Sequence, residues 1–258
     1  MVTLVNAAEM EEVGENIIRK YLGRRKYPPR CIDIEGFIQD FLHLCIEYAV
    51  IADQDFDKVG FLSDGEYPLG IMESGKKVLR VYPKGTIVID RSLLKDDQSG
   101  RKRFTLAHEA AHVIYERMTP LVPGPCFKRC YDKERAYDLA EMRERFNLGE
   151  TQVDRLGSIL IMPRFLMEQT LRDYRFSLVL PVYGDNVLRS RDKILLQKMA
   201  DAVGASYSAF FNRLKELNMI ERHTIDEYLE LEMNFEGGLT QCSKRVYGHT
   251  GKGRWRQR

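Results

Sequence analysis

An α+β fold, with a small sheet packed on one central helix and a helical carboxy-terminal region, is predicted by three features of this 258-residue sequence. Apolar residues recur at helical intervals on both sides of a segment, Cys45 to Asp90, in which short apolar runs alternate with turn residues. A stretch without helix breakers, Arg103 to Ile114, is apolar almost all the way round, which suits a helix inside a domain rather than on its surface. Hydrophobic residues make up 44 % and charged residues 30 %, enough for a large core in one domain, alone or with a small appendage.

Taken in order, residues from Ala7 to Leu22 place Val13, Ile17, Ile18 and Tyr21 on one helical face. Arg24 to Arg30 is a basic joint broken by proline, and Ile34, Phe37, Ile38, Phe41 and Leu42 then mark a second helix with Asp33 as its N-cap. Strands are expected in Cys45 to Ala52, Gly60 to Leu62, Val78 to Tyr82 and Thr86 to Ile89, with Pro83-Lys84-Gly85 a tight turn. After the apolar helix, Thr119 to Pro125 breaks regular structure and Asp132 to Phe146 reads as a charged, solvated helix. Leu156 to Leu171 is helical and interrupted by Pro163.

Lys198 to Leu217 has the form of two short helices joined at Gly204, with Ser206 as a cap, which is a helix-turn-helix shape. Its second helix opens on Tyr207, Ser208, Ala209, Phe210 and Phe211 and offers only Arg213 and Lys215 as bases, so packing or protein docking is favoured over DNA reading. From Asn234 the chain is glycine-rich and basic, the pattern of a disordered tail; a nucleic-acid arm with Trp255 as a stacking residue is the less favoured reading.

With 40 basic against 38 acidic side chains, no overall field selects nucleic acid or membrane as partner. No apolar stretch has the length of a membrane span, and the first residues lack the basic flank and apolar core of a secretion signal, so a cytoplasmic location is expected. Five cysteines read there as reduced thiols, and the spacing of Cys126 and Cys130 is not that of a structural zinc hook.

The chemistry lies in the apolar helix. His108-Glu109-Ala110-Ala111-His112 is an H-E-x-x-H motif, which random placement would produce in roughly one such chain in a hundred. Residues four apart lie one turn above each other, so His108 and His112 can reach one metal while Glu109 turns toward the water that metal holds. Zinc lowers the pKa of such a water, and Glu109 as general base would take its proton and pass it to a leaving amine. Two histidines and a glutamate buried without partners would cost several kcal/mol, so a metal or a dense hydrogen-bond network must be present, and the motif in its apolar setting favours the metal. A third protein ligand is needed, and Glu134, Glu141, Glu144 and Glu150 are all placed to supply it by spacing.

The run Phe104-Thr105-Leu106-Ala107-His108-Glu109-Ala110-Ala111-His112 resembles the motif helix F-T-x-A-H-E-x-x-H of the ImmA/IrrE family of metallo-endopeptidases. Glu150 to Pro163 resembles that family's later helix, E-x-x-A-x-x-F-A-x-x-L-L-M-P, with Val153, Leu156 and Gly157 where alanine, phenylalanine and alanine are usual. The resemblance covers roughly Tyr27 to Ile220. It implies a zincin-like metallopeptidase domain, set at residues 1–180, and the residue patterns above add a helix-turn-helix-like region over 181–233 and a basic tail over 234–258. By the same match His108, His112 and Glu150 hold Zn2+ and Glu109 is catalytic. The family's known members are cytosolic zinc endopeptidases that cut a helix-turn-helix repressor, often encoded beside them on phages or mobile elements, and so relieve repression. The alternative is a transcriptional regulator or partner-binding protein with a structural zinc site. For oxyanion stabilisation His223 and several tyrosines are available, although a lone histidine near a helix end is more often a surface or capping residue.

Overall fold

The computed structural model describes residues 6–23, 29–52, 58–118, 126–129, 148–175 and 177–233. The expected helix over Asp132 to Phe146, the break at Thr119 to Pro125, Cys130 and the basic tail lie outside them. The architecture is mixed helix and small sheets, an α+β arrangement.

Helix α1 (Ala7–Leu22) starts at a reciprocal cap: the Glu9 amide donates to Asn6 Oδ1 at 2.9 Å and the Asn6 amide to Glu9 Oε2 at 3.2 Å. Its buried face is Met10, Gly14, Ile18 and Leu22. That stripe is rotated from the expected one, which included Val13, because Gly14 is where a second helix, α3 (Leu148–Ile161), comes closest. A Cβ on Gly14 would stand 2.6 Å from Ile159 Cγ2. Asp33 caps the next helical segment by accepting from the Gly36 amide at 3.0 Å, as expected. Three α-helical residues there pass into a π-helical turn over Phe37–Phe41, whose Phe37 and Phe41 rings stack at 5.4 Å.

Among the described residues the strands that follow are β1 (Ile46–Ala49), β2 (Lys58–Leu62), β3 (Leu69–Glu73), β4 (Lys76–Arg80), β5 (Ile87–Asp90) and β6 (Cys126–Arg129). The main sheet has the order β1-β5-β2-β6, with β1 parallel to β5 and β2 antiparallel to both of its neighbours. The other two strands form a separate hairpin turned at Ser74 and Gly75, both with positive φ (49° and 78°), the backbone of a tight two-residue turn. The expected turn at Pro83-Lys84-Gly85 is present. Gly85 has φ 80°, and the Thr86 amide donates to the Pro83 carbonyl at 3.0 Å.

Strand β5 is buried on both faces, which its β-branched run predicts. Ile87 and Ile89 join the main core, whereas Val88 joins a smaller core with Phe61, Leu69, Ile71 and Tyr82 under the hairpin. Helix α2 (Ser99–Met118) lies on the main-core side and packs along α3. The single interrupted helix expected from Leu156 to Leu171 is two helices, α3 and α4 (Arg164–Arg175), divided at Met162 and Pro163 because proline has no amide to continue the ladder.

The carboxy-terminal region is not wholly helical. Strands β7 (Leu180–Tyr183) and β8 (Ile220–His223) pair in parallel around two helices, α5 (Ser190–Val203) and α6 (Tyr207–Glu216), and a last helix covers 225–233. Gly204 joins α5 to α6 in the left-handed conformation (φ 69°), and Ser206 caps α6 by accepting from the Ala209 amide at 3.2 Å, both as expected. Leu196, Met199, Phe210 and Leu214 from these helices enter the same core as Leu106 and Ala110 of α2. Arg103 of α2 fastens the join, donating from Nε to the Gly204 carbonyl at 3.1 Å and from Nη2 to the Ile32 carbonyl at 2.8 Å. Among the described residues no helix is long and apolar enough to cross a membrane.

His223, at the end of β8, stacks on Tyr183 and bonds through Nδ1 to Glu227 at 2.8 Å. The hydrogen bond to Glu227 raises its pKa above the ordinary value of 6.5. A raised imidazole pKa adds stability that is complete below the unfolded-state value and is lost as pH rises through the folded-state value. Proton NMR of His223 is therefore expected to show a midpoint above 6.5, and Glu227→Gln to lower it. A midpoint at or below 6.5 in the native protein would remove this ion pair from solution.

Candidate metal centre

Helix α2 carries the motif at its most buried turn: His108 and Glu109 are fully buried and His112 is 6 % exposed. The apolar surround that keeps water away comes from Leu106, Ala107, Ala110 and Ala111, all fully buried, so the helix is enclosed on every side as its sequence predicts. A second helix must come very close for its side chains to meet these histidines. Gly157 allows this: a Cβ there would lie 3.2 Å from the His108 amide nitrogen and 3.3 Å from its Cα, so the α3 backbone rests against the α2 backbone at the first histidine.

That contact sets the rest of the site. Two turns before Gly157, Glu150 extends its carboxylate over both imidazoles, with Oε2 3.4 Å from His108 Nε2 and Oε1 3.5 Å from His112 Nε2. The two Nε2 atoms are 3.0 Å apart. The three residues form a group able to hold a metal ion, with their ligand atoms all within 4.8 Å of one another. A tetrahedral ion with bonds near 2.0–2.2 Å separates its ligand atoms by about 3.3 Å, so these spacings fit one small divalent ion. Of the four glutamates open by spacing, Glu150 is the one placed with the histidines, while Glu134, Glu141 and Glu144 lie outside the described residues.

Burial opposes the charge on Glu150, but hydrogen bonds and attraction from His108 and His112 outweigh it and hold the carboxyl well below the usual carboxylate range. The acid is therefore an anion, the form a metal requires of it.

Asp154 was not foreseen. Its carboxylate lies 2.8 Å from His108 Nδ1, which leaves Nε2 as the ring nitrogen turned toward Glu150. The available signal was its place four residues after Glu150, on the same face of α3. A second cross-link lies beside it, where the buried Tyr115 hydroxyl donates to Gln152 Oε1. Asp154→Asn is expected to weaken metal binding 10- to 100-fold, roughly the loss usual for such a support, with the helix content unchanged. Competition titration against a zinc-sensitive dye measures it, and an unchanged affinity would show that His108 needs no such partner.

Of the remaining residues singled out by sequence, His223 is engaged with Glu227 on β8 and is not a member of the metal group. Cys126 opens β6. Arg213 is almost wholly buried and donates from Nε to the Met162 carbonyl at 2.9 Å, while its other nitrogens meet Glu216 and Glu11. Lys215 lies over the Phe211 ring at 4.2 Å. No protein-family model matches the sequence, and no curated protein matches it either.

Proposed function

We propose that this chain is a zinc-dependent endopeptidase of the ImmA/IrrE type, built on a zincin-like domain. Its substrate would be a cytoplasmic regulatory protein, a helix-turn-helix repressor, whose cleavage relieves repression. The observation that carries the reading is the convergence of His108 Nε2, His112 Nε2 and the Glu150 carboxylate around one point, beside a buried second carboxylate, Glu109.

Zinc held there would lower the pKa of water and polarise a carbonyl, leaving one coordination place for solvent or substrate. His108 and His112 would hold it through Nε2, with Asp154 against Nδ1 of the first ring to keep that ring turned. Glu109 takes a proton from the attacking water and delivers it to the departing amine, the two halves of one general acid–base cycle. Its side chain is fully buried, out of bulk solvent.

A DNA-reading regulator is less well supported, because both bases of α6 have other work. Arg213 is committed to Met162, Glu216 and Glu11 inside the protein, and Lys215 covers an aromatic ring.

Metal analysis of the purified full chain is expected to return about one zinc per molecule, and His112→Ala to lose it. Incubation with a repressor encoded beside this chain should give two discrete fragments, and a chelator should stop the cut. Metal without any cleavage of such a repressor would sink the proposed substrate, and protein that never retains zinc would sink the enzyme.

A further inference from the structure

A second feature of α3 serves no purpose in the metal centre. A cavity of about 520 Å³ opens where α1, α3, the start of α4 and the end of α6 meet, walled on one side by Ala7 and Ala8. Three arginines line it, and they are not equivalent. Arg213 is spent: its guanidinium holds the Met162 carbonyl, Glu11 and Glu216. Arg155 and Arg164 are half-buried, and neither has an ion-pair or hydrogen-bond partner among the described residues.

The acids of the cavity do not answer them. Glu11 and Glu216 are bound to Arg213, Glu15 pairs with Arg19 at 2.6 Å, and Glu12 is exposed to solvent. Two half-buried guanidiniums without a direct partner among the described residues thus line a space of small-molecule size. Sites that take such ligands span roughly 300 to 1,000 Å³ and place a few polar groups on a largely apolar wall. A forked guanidinium matches a planar carboxylate or a phosphoryl group with two parallel hydrogen bonds.

The geometry points to a binding site in this cavity for a small molecule carrying one oxyanion group, phosphoryl or carboxylate, held by Arg155 and Arg164. The cavity has room for a body larger than the anionic group itself, beside Ala7 and Ala8. The surrounding glutamates work against a long polyanion such as nucleic acid, whose neighbouring phosphates they would repel. This site shares α3 with the metal centre and does not depend on what the metal does.

The test uses the full chain with inorganic phosphate and, separately, acetate as probes, against sodium chloride at matched ionic strength. Saturable chemical-shift changes are expected at the amides of Ala7, Ala8 and Arg164 with at least one probe. Arg155→Gln and Arg164→Gln should each weaken the apparent Kd about tenfold, the loss expected when one charge-assisted pair is removed, while Arg91→Gln on the sheet side leaves it unchanged. A response to phosphate alone identifies a phosphoryl ligand, and a response to acetate identifies a carboxylate. The proposal is overturned if chloride reproduces the shifts, if neither probe saturates, or if both glutamine variants bind as the native chain does. Should either variant unfold, the location of the shifts in the native chain decides alone.

Discussion

Glu109→Gln is expected to reduce peptide cleavage by about three orders of magnitude while zinc content and thermal stability stay at native levels. The amide keeps the shape of the carboxylate and cannot accept the proton of the attacking water. The group able to hold a metal is His108, His112 and Glu150, so the substitution leaves its 3.0 to 3.5 Å spacing alone. Metal analysis and a cleavage assay on the same preparation separate the two effects. Cleavage at the native rate would take the general-base role from Glu109, and loss of zinc together with activity would show that this side chain supports the centre rather than the reaction.

Gly157→Val should act the other way round, through the metal. A first side-chain carbon at this position already meets the backbone of His108 and Ala107 at 3.2 to 3.4 Å, and valine adds two methyls to it. Either α3 moves off α2 or the chain loses about 1–3 kcal/mol to overpacking. A retreat of α3 carries Glu150 and Asp154 with it, so zinc affinity is expected to fall by more than the 10- to 100-fold typical of losing a supporting carboxylate alone. Gly157→Ala is the milder case, needing a shift of a few tenths of an ångström. Native zinc affinity in the valine variant would mean that the helices adjust elsewhere and that this close approach does not position Glu150.

The parts of this molecule that sequence reveals are those whose meaning is local. A buried helix apolar on all sides, with two histidines one turn apart, is readable because burial and spacing are both written in consecutive residues. The Ile87-Val88-Ile89 strand is readable for the same reason, since both of its faces are covered. The hairpin strand Leu69–Glu73 was not expected: it is short, contains Gly70, and takes its burial from Val88 and Phe61 elsewhere in the chain. Strand β7 carries Pro181, which argues against a strand by composition and is tolerated because β7 has a partner on one side. The third member of the candidate metal group could not be chosen by spacing alone, because the contact that places it is between two helix backbones. Asp154 was missed for the same cause, its role being set by a ring 46 residues away.

Arg103 has a bearing on how the chain can be divided. Its guanidinium reaches from the first third of the motif helix to the bend between α5 and α6 and to the carbonyl of Ile32, so three distant stretches share one side chain. Cutting the polypeptide ahead of α5 would strip a bond from that group and lay bare the apolar underside of the helix beneath it. The carboxy-terminal helices are therefore a keystone for the histidine-bearing segment rather than a detachable module, and trimming them for convenience would forfeit the ion-holding half as well.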